Sequence, residues 1–125
     1  MTATLYKSDG TREEISPKNG RQFTWSEVRE ILGCYMLEPI NTGDPSMLMM
    51  GDEEARCCDE YTINREATRI FREGNGIPNT PKGARQYFNE VMAGMGDAVI
   101  FVGDRDEEPY TIVGDVLYMP NAMME

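Results

Sequence analysis

Phe23-Thr24-Trp25-Ser26-Glu27-Val28-Arg29-Glu30-Ile31-Leu32-Gly33 carries the clearest structural signal in the chain. Thr24 and Glu27 fit a capping box, in which the hydroxyl and the carboxylate satisfy backbone donors left open by the first turn of a helix. Phe23 and Val28 stand where a hydrophobic staple belongs. Trp25, Val28, Ile31 and Leu32 follow helical spacing, and Gly33 is a natural stop. The reading is a helix over residues 25–32 whose apolar stripe belongs to a core.

Outward from this helix the pattern turns to strands. On the N-terminal side, residues 2–7 and 12–16 read as a hairpin, because Asp9-Gly10 supplies the positive φ angles of a tight turn. Pro17-Lys18-Asn19-Gly20 then turns the chain into the helix. On the C-terminal side, residues 35–40 read as a strand closed by the loop Asn41-Thr42-Gly43-Asp44-Pro45. Residues 47–50 and 55–58 read as short strands across Gly51-Asp52-Glu53-Glu54.

A second helix is capped by Asn64, buries Ala67, Ile70 and Phe71, and ends at Gly74. Thr80-Pro81 opens a third, with an apolar stripe of Ala84, Tyr87, Phe88, Val91, Met92 and Met95. Residues 98–102 read as a buried strand and 104–108 as a solvated charged turn. Residues 110–113 and 116–119 complete the sheet, with Gly114 at a bulge. Strands in hairpin order with helices interposed predict an α+β fold: a mostly antiparallel sheet with about three helices, packed mainly on one face. The expectation is one domain over residues 1–120 and a frayed tail over 121–125.

Composition narrows the function classes. With 125 residues, 40% hydrophobic and 27% charged, the chain falls in the globular range, and its thin core favours a homo-oligomer. No apolar run is long enough for a bilayer, and the first residues lack the regions of a signal peptide, so a cytoplasmic location is expected. The net charge of −10 disfavours direct contact with nucleic acid or an anionic membrane. Cys34, Cys57 and Cys58 give an odd count with an adjacent pair, which does not make a secreted disulfide framework. Without histidine or CxxC spacing, neither a zinc site nor a cofactor is expected. Cys57 and Cys58 read as a strand pair, one facing in and one out. The methionines, Met47, Met49, Met50, Met119, Met123 and Met124 among them, read either as core filler or as adaptable contact surface.

Several stretches, taken in order, resemble a known family. They are Leu5-Tyr6-Lys7-Ser8-Asp9-Gly10-Thr11, Pro17-Lys18-Asn19-Gly20, and Phe23-Thr24 with the helix ending Ile31-Leu32-Gly33-Cys34-Tyr35. Met49-Met50-Gly51-Asp52-Glu53-Glu54-Ala55-Arg56, Ile63-Asn64-Arg65-Glu66-Ala67-Thr68-Arg69-Ile70-Phe71 and Ile112-Val113-Gly114-Asp115-Val116-Leu117-Tyr118 follow. Their order is similar to that of domain of unknown function thirty-eight forty-six, carried by phage, plasmid and bacterial genomes. Gly33-Cys34 stands where that family has a double glycine, and residues 78–96 look like an insertion. The resemblance implies a small accessory protein of a mobile element, in the host cytoplasm if phage-encoded. It implies no activity and no catalytic residues.

Candidate chemistry is sparse. Nucleophilic catalysis of the usual kind pairs Ser or Cys with a base, most often histidine, and the chain has none. Asp52, Glu53, Glu54, Asp59 and Asp115 are the carboxylates available for a metal-dependent hydrolase. The strongest binding candidate is an anion site at the start of the second helix, built from Asn64, Arg65 and Arg69, with Lys18 and Arg21 nearby. The competing reading pairs the two arginines with Glu66, Glu73 or Asp59 on a solvated face. The leading expectation is therefore a non-enzymatic binding protein, a counter-defence sponge that sequesters a small anionic nucleotide signal. The alternatives are an acidic inhibitor or DNA mimic acting on a host protein, and a carboxylate-metal hydrolase.

Overall fold

Ala3-Thr4-Leu5-Tyr6 and Val116-Leu117-Tyr118-Met119 give each strand two working faces, because successive side chains point to opposite sides of a sheet. The computed structural model describes residues 2–57, 62–94 and 108–125. Its strands are β1 (Ala3–Tyr6), β2 (Arg12–Ile15), β3 (Leu37–Ile40), β4 (Met47–Asp52) and β5 (Val116–Pro120). Its helices are α1 (Trp25–Leu32), α2 (Arg65–Gly74) and α3 (Pro81–Gly94), with short 3-10 turns at Ala55–Cys57 and Asn121–Met123. The strands form one antiparallel sheet in the order β2-β1-β5-β4-β3. The α+β class, the antiparallel sheet and the three helices are those read from the sequence. β5 lies in the centre, with Leu117 opposite both Leu5 and Met50, and Tyr118 opposite Thr4 and Met49.

The main core lies on one face. Ala3, Leu5, Met50, Leu117 and Met119 enter it from the strands, and Phe23, Val28 and Met123 close it from α1 and its flanks. Alternate residues make a smaller cluster on the other face, where Met49 and Val116 meet Ala67 of α2. Tyr6, Ile40, Ile70, Ile112 and Tyr118 pack around that cluster.

α1 begins and ends where its local chemistry says. The Thr24 hydroxyl accepts the Glu27 N–H at 3.1 Å, and Gly33 closes the helix at φ 63°. The other half of the expected box is used differently, since the Glu27 carboxylate accepts the Lys18 N–H at 2.9 Å. α2 ends against the β3–β4 loop so closely that a Cβ on Gly74 would fall on the Thr42 carbonyl oxygen.

Four local expectations need correction. The strand expected over 55–58 is the 3-10 turn Ala55–Cys57, because the Asp52 carboxylate accepts the Glu54 N–H and turns the chain. Cys57 is therefore not half of a strand pair, and Cys58 lies outside the described residues. The strand expected over 110–113 is reduced to one bridge, Ile63 to Val113. Its backbone groups are taken by side chains instead: Arg72 takes the Tyr110 carbonyl, Arg56 the Thr111 carbonyl, and the Thr68 hydroxyl the Ile112 N–H. The strand expected from residue 35 starts at Leu37, leaving Tyr35 and Met36 outside it. The tail is not frayed, for Met123 is fully buried, and Phe23 bonds to the Met123 carbonyl and to the Glu125 N–H. The strand expected over 98–102 lies outside the described residues, as does most of the charged turn.

Candidate functional site

Asn64 caps α2, as its sequence context requires, and the structure accounts for its whole side chain. Its carbonyl oxygen accepts the Ala67 N–H at 3.1 Å, and its amide donates to the Tyr6 and Gly114 carbonyls, each at 2.9 Å. The residue is 1% exposed. Asn64 thus ties the helix start to β1 and to the segment before β5, with no donor left for a ligand.

The arginines are committed as well. Arg65 pairs with Glu108 at 2.9 Å, and that hydrogen bond holds the guanidinium above its ordinary pKa. Arg69 pairs with Glu66 and, at 2.7 Å, with Glu73, which raises its pKa strongly. The solvated-face reading describes Arg69. For Arg65 the partner is Glu108, which that reading did not include. Lys18 and Arg21 belong to the turn before α1, on the other side of the sheet. Lys18 reaches Glu30 at 3.5 Å, and the Arg21 N–H bonds to Asn19. The five residues expected to form an anion site do not converge.

The feature missed from sequence is Arg72, which is 1% exposed. Its Nε donates to the Tyr110 carbonyl at 3.2 Å, and its Nη2 to the Pro109 carbonyl and to Glu108, each at 2.9 Å. Glu108 therefore serves two arginines. The Arg65 hydrogen bond holds its carboxyl below the usual range against the opposing cost of burial, and Arg72 adds to the lowering. Tyr110 sits at φ 55°, the one described non-glycine residue at positive φ, with its ring against the edges of Tyr87 and Phe88. The only local cue was spacing: Arg72 lies one turn beyond the buried Thr68, on the covered side of α2. Every polar atom named in this network has a protein partner, so its work is to hold the segment before β5 onto α2.

A different corner is open. Residues between α1 and β3 border a cleft of about 510 Å³ lined by Arg29, Glu30, Gly33, Cys34 and Tyr35. Tyr35 is 88% exposed and Met36 51%. Met36 is held by its carbonyl, which accepts the Glu53 N–H at 3.0 Å, and Asp52 pairs with Leu37 in the β3–β4 register. Burial pushes the Cys34 thiol above its ordinary pKa, and the charges of Asp52 and Glu54 outweigh Arg29 in the same direction. Asp52, Glu53 and Glu54 share this corner, and among the described residues none has an ion-pair partner.

The carboxylates proposed for metal chemistry do not form one metal-binding group among the described residues. Asp115 accepts the N–H and hydroxyl of Ser8, Asp52 caps its own turn, and Asp59 lies outside the described residues. Among the described residues no three His, Cys, Asp or Glu side chains are placed to hold a metal ion. Nor, among them, is any helix long and apolar enough to cross a membrane. No family model, curated protein or solved structure matches this chain. The resemblance to a mobile-element family therefore rests on the residues quoted for it.

Proposed function

We propose that this chain acts by binding, without turning over a substrate, and that its partner is a protein carrying positive charge. One observation carries the reading: the guanidinium groups of α2 are neutralised within the fold, whereas Asp52, Glu53 and Glu54 at the end of β4 have no basic partner among the described residues. A net charge of −10 adds a field that draws cations and repels anions.

A nucleotide sponge is less well supported, because the ligand would have to displace Glu66, Glu73 or Glu108 from the arginines meant to hold it. A duplex mimic would need a charge roughly every 1.7 Å along an axis. Three carboxylates at one corner suit a protein contact better. A hydrolase is less well supported for a separate reason: among the described residues no three of its carboxylates are placed to hold a metal ion, and the Cys34 thiol is held away from the nucleophilic thiolate. The resemblance to a mobile-element family supports a host protein as the partner.

Fluorescence anisotropy with labelled lysine- and arginine-rich peptides tests this reading beside calorimetry with cyclic and ADP-ribose nucleotides. The expected result is peptide binding that weakens with salt, and no heat from any nucleotide. Nucleotide binding with indifference to the peptides would reverse the assignment.

A further inference from the structure

Resting on that reading, we propose that Tyr35 and Met36 anchor the docking surface, and that its occupant is a basic protein segment bearing an apolar side chain. These two residues are the outliers of their neighbourhood. Ile31, Leu32 and Leu37 on either side of them pack against the main core, while Tyr35 and Met36 stand 88% and 51% exposed. Their backbone is nonetheless fixed, by the left-handed cap at Gly33 on one side and the Glu53 bond to Met36 on the other. An exposed aromatic on a fixed backbone loses little entropy on binding, which is why tyrosine is enriched among residues that dominate interfaces. Methionine beside it adapts to the shape it meets.

Charge selects the occupant. Asp52, Glu53 and Glu54 lie beside the anchor and outnumber Arg29, which lines the same cleft, so a lysine- or arginine-rich segment is steered towards it. A second copy of this chain fits badly, because a two-fold contact would set the same carboxylates against themselves. Self-pairing through the sheet is blunted too. One edge strand reads Arg12-Glu13-Glu14-Ile15, and the other carries Glu38 and Pro39.

The test uses two short synthetic peptide probes, identical in length and in lysine and arginine content. One has a central tryptophan and the other a serine in its place. Wild-type protein is expected to prefer the tryptophan probe by about tenfold, the effect of one anchor contact. Tyr35→Ser with Met36→Ser should abolish that preference while leaving the salt-dependent binding of the serine probe. Both side chains are exposed, so circular dichroism should show an unchanged fold. Glu53→Gln and Glu54→Gln together should do the opposite, keeping the preference and weakening the salt dependence. If the serine double variant retains the full preference, the anchor lies elsewhere, although the cationic-partner reading stands. If neither probe binds wild-type protein, that reading falls as well. A wild-type dimer that the double variant converts to monomer in sedimentation would assign the surface to a second copy and overturn the proposal.

Discussion

The two faces of the sheet are held by different forces. Under α1, eight buried side chains are all apolar, and their contribution is non-directional burial. Over the other face, among the described residues, Met49, Ala67 and Val116 form the buried apolar cluster. Around it, Asn64, Thr68, Arg72 and Thr111 are buried polar groups joined by directional bonds. An apolar core absorbs a change of shape at constant volume, because neighbours re-pack. A buried polar network does not, since deleting one member leaves another without its bond.

The largest expected effect follows from that contrast. Arg72→Met keeps much of the side-chain volume but leaves the Pro109 and Tyr110 carbonyls without their donor and Glu108 with Arg65 alone. Each buried acceptor left unpaired costs about 1–3 kcal/mol, so the variant should lose about 3–5 kcal/mol. Leu117→Met, a similar swap in the apolar core, should cost less than about 1.5 kcal/mol. Urea denaturation of both variants measures the difference, and equal losses would erase the distinction between the faces.

Asn64→Ala should come next, at about 2–3 kcal/mol, because it removes a helix cap and takes the amide donor from the half-buried Tyr6 and Gly114 carbonyls. Retained hydrogen-exchange protection at Ala67 and across β1 in this variant would show that Asn64 is not the tie described.

The same contrast explains what the sequence could tell. α1 was legible to its terminal residues because its cap, staple and glycine stop are neighbours in the chain. The first hairpin and the starts of α2 and α3 were legible for the same reason, through Asp9-Gly10, Asn64 and Thr80-Pro81. Residues 110–113 were misread because their apolar pattern suits a strand, while the groups that take their hydrogen bonds come from Arg56, Thr68 and Arg72, far back in the chain. The candidate site failed in the same way. Asn64 was correctly placed as a cap, but its other two bonds go to Tyr6 and Gly114, and the Arg65 partner is Glu108. A pattern read locally shows where charges begin and cannot show which distant carboxylate neutralises them. The exposure of Tyr35 escaped notice because an apolar pair between a helix and a strand reads as core.

Acid should weaken the α2 side through Glu108. Its folded pKa is depressed, so the stability it contributes is complete above the ordinary glutamate value of about 4.3 and is lost as pH falls through the lower folded value. Urea midpoints measured from neutral pH downwards should fall in that window. Glu108→Gln should start lower at neutral pH and decline less steeply in acid. A variant with the wild-type slope would remove Glu108 from the titration, leaving Glu66 and the exposed carboxylates to account for it.

The smallest effect compares the two helix caps directly. The Thr24 hydroxyl serves α1 alone through the Glu27 N–H, so Thr24→Ala should cost about 1 kcal/mol and Thr24→Ser should recover most of it. Asn64 makes the equivalent bond to Ala67 and adds two donations that Thr24 has no counterpart for. Asn64→Asp separates the parts, since it keeps the acceptor for Ala67 and replaces the amide donors with an oxygen facing two carbonyls. If capping were all that Asn64 did, aspartate would match asparagine, as the two are near-equal caps. The network requires instead that Asn64→Asp be worse than Thr24→Ala, although it preserves the cap that Thr24→Ala destroys.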